Sequence, residues 1–457
     1  MNDMDALLAG QYRFFAEGST RDPDFRRKQL IKLGECFRKA EKDILGALHD
    51  DLGKSEFEAY STELAVIYQE LSICLKNLRK WASPVKVRTN AVNLPGLSRI
   101  VPEPLGTVLI IGAWNYPFQL TMGPLIPAMA AGNTVVLKPS ELALNTSSVL
   151  HQIISAEFPE EYIHVVQGGP DKAKELLDKK FDKIFFTGST RVGRIVAGKA
   201  AEKLTPVSLE LGGKSPVLVA KDADLRTAAR RIAWGKVLNA GQTCIAPDHI
   251  IAHRSVASAL TELLGQEFDR YFEQDSAHMG SYPRIINRQH FHRLMNLIEE
   301  EKVCYGNVSD EDRLFLSPTI LFPASYDDRS MAEEIFGPIL PVIVFDDLDE
   351  ALLNIRSKPR PLAFYLFSSS ARIREKVLNI VSFGGGAVND VIMHAANYSL
   401  PFGGVGQSGV GRYHGKAGFD EFSNFKSLLI KPSRPDFPFR YPPWSKWKYR
   451  LARWFFG

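Results

Sequence analysis

The chain has 457 residues, 45% hydrophobic and 24% charged, with 34 glycines, 27 prolines and a formal net charge of +4. That length supports two or three domains with their own apolar cores, and the composition excludes collagen-like, low-complexity and disordered classes. So small a positive excess builds no field for a nucleic acid, and no nucleic-acid partner is expected.

The N-terminal residues 1–11 carry acids and no basic region ahead of an apolar run, so a signal or transit peptide is not expected. Amphipathic spacing predicts helices over 27–48 and 61–81, ending at Ser83-Pro84. After the turn Leu94-Pro95-Gly96, strands are predicted over 107–111, 134–137, 163–166, 183–187 and 207–211, with helices over 145–158 and 171–180 between them. That is a doubly wound α/β pattern. A second α/β series follows, with strands over 216–220, 250–252, 316–322 and 340–345 and a helix over 224–238. The stretch 383–415 is glycine-rich, and beyond Lys431 proline and aromatic residues dominate. No uncharged apolar stretch reaches eighteen residues, so no spanning helix is predicted. Cys36, Cys74, Cys244 and Cys304 form no C-x-x-C pair, which points to reduced thiols, a cytoplasmic setting and no metal site.

Three positions stand out chemically. Cys244 lies in Asn239-Ala-Gly-Gln-Thr-Cys-Ile-Ala-Pro247, a glycine-containing loop after a long helix, and reads as either an inert thiol or a nucleophile. Glu210 ends an apolar strand ahead of Gly212-Gly213, either as a partner for Lys214 or as a functional carboxylate. Asn115 follows another apolar strand, at the place where α/β sheets hold ligands, or simply caps a turn. The segment from Lys183 to Gly193 runs from a strand through Gly188-Ser189 into a helix whose first amides can receive a phosphate. A literal G-x-G-x-x-G at Gly404, Gly406 and Gly409 lacks a preceding strand and a following helix, and is rejected as a nucleotide site.

Together these segments resemble the aldehyde dehydrogenase superfamily, over about residues 64–426. The matching runs, in order, are 105–118, Lys138-Pro-Ser-Glu141, Phe186-Thr-Gly-Ser-Thr-Arg-Val-Gly193, Glu210-Leu-Gly-Gly-Lys-Ser-Pro216, Gly241-Gln-Thr-Cys244, Glu334-Ile-Phe-Gly-Pro338 and Pro401-Phe-Gly-Gly-Val-Gly-Gln-Ser-Gly409. The Gly-Gln-Thr-Cys-Ile-Ala-Pro run and the short N-terminus look most like the class 3, fatty aldehyde dehydrogenase branch. The resemblance implies two Rossmann-like domains with a small β bridging or oligomerisation element. An NAD(P)-binding domain would comprise 1–82 and 102–209, a catalytic domain 210–392, and a bridging element 83–101 and 393–430, with 431–457 as a basic aromatic tail. It also implies a homodimer.

By that resemblance Cys244 is the nucleophile, Glu210 the general base, and Asn115 with the Cys244 amide the oxyanion hole. NAD or NADP would be held by Trp114, Lys138, Glu141, Gly188, Ser189, Gly193, Glu334 and Phe336. Tyr60, Tyr116 and His394 are expected at the substrate side, for an apolar aldehyde. Acyl transfer to coenzyme A is an alternative, as is a membrane-surface or structural protein that keeps the fold. In the tail, Trp444, Trp447, Leu451, Trp454 and Phe455 recur at helical spacing beside Lys446, Lys448, Arg450 and Arg453. That pattern suits a membrane interface, or packing over the tunnel mouth or a partner subunit.

Overall fold

The computed structural model describes residues 3–273 and 282–456, without the side chains of Glu273, Phe455 and Phe456. Thr107–Ile111 is buried at every position, as a strand covered on both faces must be. It centres a six-stranded sheet, flanked on one side by Thr134–Lys138 and Ile163–Val165 and on the other by Lys183–Gly188 and Val207–Leu211, all parallel. Gly409–Val410 adds an antiparallel edge beside Val207–Leu211.

One face is covered by helices Pro23–Lys39, Ala65–Trp81 and Gln119–Ala131, the last buried at nearly every residue. The other face packs against Asp3–Ala16, Pro170–Leu177 and Thr190–Ala201. The helix expected over 27–48 is two helices, because the chain leaves helical geometry at Ala40 (φ −96°, ψ 13°) before Glu41–Leu52 begins.

A seven-stranded sheet follows, ordered Val303–Tyr305, Thr319–Ala324, Ile339–Phe345, His249–His253, Pro216–Val219, Ala363–Phe367 and Gly385–Val388, parallel except at the first pair. The strand expected over 316–322 divides into Phe315–Leu316 and Thr319–Ala324. Pro318 lies between them, and a proline cannot donate to a ladder.

Val85–Val87, Leu97–Pro104 and Ser423–Ile430 form a separate antiparallel sheet. Gly409–Val410 belongs to the first sheet, and helix Gly415–Glu421 packs on Ala65–Trp81 and Gln119–Ala131 through buried Phe419. Among the described residues, no helix is long and apolar enough to cross a membrane.

Candidate active site

From Thr107–Ile111 the chain winds outward through Thr134–Lys138, whereas Lys183–Gly188 begins the opposite half, so a crevice opens between the carboxyl ends of the two central strands. Gly112 to Asn115 and Gly188 to Arg191 line that crevice, and with residues from the second sheet's half they enclose about 1600 Å³. The space exceeds the usual volume of one small-molecule site and has room for a dinucleotide and a second molecule.

Cys244 borders this cavity, half-buried, in a loop whose backbone is tightly specified. Beyond helix Leu225–Val237, Asn239, Ala240 and Gly241 all take positive φ (51°, 51° and 70°). At Gly241 a Cβ would lie 2.3 Å from the Gly337 carbonyl, so only glycine fits. The Gln242 side chain donates to the carbonyls of Asn239 and Arg284 and accepts from the Ile286 amide. On the far side, Lys236 donates to the Pro247 carbonyl at 2.9 Å, and burial lowers its pKa to about 7. Burial, then the charges of Glu334 and Glu210, hold the Cys244 thiol well above its ordinary pKa.

Asn115 is buried, and its side-chain amide donates to the Gln242 carbonyl at 3.0 Å. A carboxamide has two N–H groups, so one more remains for the cavity. Its own carbonyl accepts from Lys54 at 3.0 Å and from the Asn239 side chain at 2.8 Å. Tyr116 lines the same wall and shares a 2.7 Å hydrogen bond with Thr243.

Glu210 faces the cavity from the strand Val207–Leu211 and is 4% exposed. Neither carboxylate oxygen meets a hydrogen-bond donor from the protein. Burial drives its pKa well upward, offset in part by Arg412. Lys214, the alternative partner read from the sequence, instead pairs with Asp248 at 2.6 Å.

Trp114, Lys138, Glu141, Gly188, Ser189, Glu334 and Phe336 all line the cavity. Lys138 is buried and donates to the Pro139 carbonyl at 2.8 Å and to Glu141 at 3.4 Å. Ser189 caps helix Thr190–Ala201, its hydroxyl accepting from the Val192 amide at 3.3 Å. Phe336 (φ 49°) sets its ring edge-on to Trp114, with centroids 5.3 Å apart. Glu334 lies against Gly212, where a Cβ would fall 1.9 Å from its Oε2; burial, then the Asp248 charge, raise its pKa to about 8. The helix N-terminus, the lysine with its carboxylate neighbour and Glu334 make a donor and acceptor set that fits a dinucleotide's pyrophosphate and ribose groups.

Gly193 does not line the cavity: it lies in the first turn of helix Thr190–Ala201, where a Cβ would be 2.5 Å from Leu211 Cδ2, so its bare backbone lets helix and strand pack closely. Tyr60, expected at the substrate side, is 42% exposed and outside the lining, whereas Ser61 and Thr62, in the same π-helical turn Tyr60–Leu64, line the cavity. His394 is likewise outside the lining, while Met393, Ala395 and Ala396 are part of it. Its ring stacks on Phe402 with no partner at either nitrogen, and burial lowers its pKa to about 4, leaving it neutral at pH 7.

Sequence reading missed Lys54, Glu58 and Glu63, which meet the Asn115 and Cys244 segments only through the fold. It also missed Asp248, which accepts from the Ile335 amide and thereby fixes the segment bearing Glu334. Its signal was present: an acid two positions before the strand expected over 250–252 and close to the Cys244 loop. Among the described residues, no cluster of three His, Cys, Asp or Glu side chains could hold a metal ion.

A crevice of this size at the switch point of a doubly wound sheet, with a thiol and a lone carboxylate beside it, is that of a dinucleotide-dependent oxidoreductase. The chain belongs to the aldehyde dehydrogenase family, whose model matches residues 2–428. It is 44% identical to the 4,4'-diaponeurosporen-aldehyde dehydrogenase of Staphylococcus aureus over 100% of both chains. It is 43% identical to the dimeric, NADP-preferring aldehyde dehydrogenase of Canis lupus familiaris, over 94% of this chain and 95% of that one. The substrate-bound structure of Staphylococcus aureus AldH matches with a TM-score of 0.98, at 44% identity and over 100% of both chains. The NAD-dependent aldehyde dehydrogenase of Sinorhizobium meliloti matches with a TM-score of 0.85, at 28% identity, covering 96% of this chain and 88% of that one. The protein is therefore an oxidoreductase acting on aldehydes, with NAD or NADP as its cofactor.

Proposed function

We propose that this enzyme converts an apolar aldehyde, of medium- or long-chain aliphatic, aromatic or isoprenoid type, to its free carboxylic acid, with Cys244 as nucleophile and Glu210 as general base. The observation that carries the reading is Glu210: a carboxylate buried at the cavity wall with no protein donor is unstable unless something it activates comes to it. The substrate side is lined by Val66, Trp234, Val237, Tyr271, Ile392, Met393 and Phe402, which suits an apolar chain. The Staphylococcus aureus relative, named for a diaponeurosporen-aldehyde, supports the same class.

In this mechanism the Cys244 sulfur adds to the carbonyl carbon as its proton leaves. The oxygen charge that develops is met by the free N–H of Asn115 and by the Cys244 backbone amide. The nicotinamide of NAD(P)+, when held here, would supply the acceptor for the hydride. Lys138 and Glu141 would hold ribose hydroxyls, Gly188 and Ser189 the pyrophosphate, Glu334 the second ribose, and Trp114 and Phe336 the nicotinamide end. Glu210 takes a proton from water as that water attacks the thioester, releasing acid and free thiol. The balance is aldehyde, water and NAD(P)+ to acid, NAD(P)H and a proton. Hydrolysis by water is what gives Glu210 work to do; transfer to coenzyme A would leave it idle.

The test is an aldehyde panel of increasing chain length, assayed with each cofactor and with products identified. Free acid from long-chain aldehydes, lost in Cys244→Ala, is expected. Acyl-CoA as the product, or turnover unchanged in Cys244→Ala, overturns the reading.

We further infer a homodimer joined through the three-stranded sheet, whose outer strand exposes Phe425, Leu428, Leu429 and Ile430. The canine relative's description as dimeric is in line with this. Helix Lys446–Phe456, with Trp447 and the preceding Trp444 strongly exposed and no described tail residue lining the cavity, would lie on an anionic membrane surface.

A further inference from the structure

Lys54, Glu58 and Glu63 are charged side chains to which the chemistry above assigns no step. The chain there runs from the short helix Glu56–Ala59 into the π-helical turn Tyr60–Leu64, where the Ala65 amide bonds back five residues to the Tyr60 carbonyl, and then into Ala65–Trp81. Single π turns of this kind recur at functional sites because they re-aim side chains. Lys54 and Glu63 are both fully buried and paired at 2.5 Å. A buried ion pair is weak evidence of stabilisation, since apolar residues would fill the space at no greater cost. Its geometry points elsewhere. Lys54 donates to the Asn115 carbonyl at 3.0 Å, while Glu63 accepts from the Phe118 and Gln119 amides at 2.9 and 3.1 Å, so the pair grips the segment bearing Asn115 from both ends.

Glu58, on the helix Glu56–Ala59, lines the cavity and accepts from the Asn239 backbone amide at 2.6 Å. Asn239 opens the left-handed run Asn239-Ala240, a costly backbone state for two successive non-glycine residues. The Asn239 side chain then donates to the Asn115 carbonyl at 2.8 Å and to the Gln242 carbonyl at 3.1 Å, joining the two gripped segments.

Resting on the reading of Cys244 and Asn115 given above, we propose that Lys54, Glu58 and Glu63 are positioning residues. They fix the Asn115 carboxamide relative to the Cys244 sulfur, Lys54 and Glu63 from the Asn115 side and Glu58 through Asn239. None of the three touches the reacting atoms in this scheme. Their effect is on the alignment of donor and sulfur, and so on kcat.

The experiment compares wild type with Glu58→Ala, Glu58→Gln, Asn239→Gly and Glu58→Ala/Asn239→Gly in aldehyde oxidation, with NADH binding followed by fluorescence. Glu58→Ala is expected to lower kcat about 10- to 100-fold while KM and NADH affinity move less than about threefold, since small misplacements of reacting groups cost rates of that order. Glu58→Gln keeps an oxygen that accepts from Asn239 and is expected to recover most of the loss. The double variant is expected to be no slower than Asn239→Gly alone, because Glu58 acts through that residue.

An undiminished kcat in Glu58→Ala, equal loss in Glu58→Gln, or additive losses in the double variant would overturn the proposal. Should Glu58→Ala not fold, Asn239→Gly decides: it must lower kcat with KM and NADH binding preserved, and an unchanged kcat overturns the proposal. A wild type that makes no acid at all sinks the assignment of Cys244 and Asn115 instead, which separates the two failures.

Discussion

The side-chain amide of Asn115 donates to the main-chain carbonyl of Gln242 at 3.0 Å, across 127 positions of sequence. One proton of the carboxamide is thereby committed to the loop that carries Cys244, and the plane of the group is set by that loop. The other proton is aimed by the same bond. Replacing Asn115 with alanine removes both the aim and the donor, so kcat is expected to fall by about 10²- to 10³-fold, the usual loss on deleting one oxyanion donor. Steady-state kinetics with a saturating aldehyde checks this; a loss under tenfold would contradict it.

Glu210→Gln should let the first half of the reaction proceed and stall the second. A burst of NAD(P)H equal to the enzyme present, followed by slow turnover, is expected, with the acyl group trapped on Cys244 and visible as added mass. In the wild type the base must be ionised to work, and burial has raised its pKa well above the ordinary value. Turnover limited by hydrolysis therefore climbs with pH through that raised pKa, and the climb disappears in Glu210→Gln.

The same displacement predicts a stability effect. A carboxyl that binds its proton more tightly folded than unfolded costs nothing below about pH 4.5, where both states hold the proton, and costs progressively more as pH rises. Glu210→Gln should accordingly be more stable than wild type at pH 8, by about 1–3 kcal/mol, with the difference fading towards pH 4. Urea melts at the two pH values check it.

Gly212 has no side chain, and the Glu334 carboxylate occupies the space where one would be. Gly212→Ala should push Glu334 aside and raise the KM for the dinucleotide by about tenfold, the worth of one good hydrogen bond to a charged group. The KM for aldehyde is expected to change far less. Titration with NADH, read by fluorescence, separates the two.

Asp248 ties Lys214, His249 and the Ile335 amide together. Burial alone would raise its pKa, but Lys214 and then His249 outweigh it and hold the carboxyl well below its ordinary range. Its contribution is thus present above about pH 4 and is lost as pH falls below that. Asp248→Asn removes the charge partner of Lys214, which keeps its bonds to the Ser330 and Glu333 carbonyls, and should cost about 1–3 kcal/mol at pH 7, with a smaller penalty in acid. Thermal melts at pH 7 and pH 4 measure both values.

Removal of residues after Lys431 should abolish sedimentation with vesicles containing anionic lipid and leave turnover of a short, soluble aldehyde intact. Equal sedimentation by both forms would exclude the tail as the cause.

Much of this was legible from residues alone, for a physical reason: strands buried on both faces are written as short apolar runs, and 107–111 and 207–211 were read to the residue. Cys244, Glu210 and Asn115 stand in one cavity because each lies at a strand end or loop that the fold turns inward. What residue type alone could not show was which way a side chain turns: Tyr60 is exposed while Ser61 and Thr62 line the cavity, and the missing side chain of Gly193 serves packing against Leu211. Lys54 carries no local mark at all. It acquires meaning only when residue 115 is brought to it by 61 positions of intervening fold.

The two-residue strand Gly409–Val410 is the last piece laid against the strand that bears Glu210. During synthesis, then, more than four hundred amino acids must leave the ribosome before that border of the sheet is capped. Until then its hydrogen-bonding row stands open, a template on which neighbouring nascent chains can stack. A chain that ends after Leu211 but before Gly409 lacks this cover and keeps the hydrogen-bonding row of that border exposed.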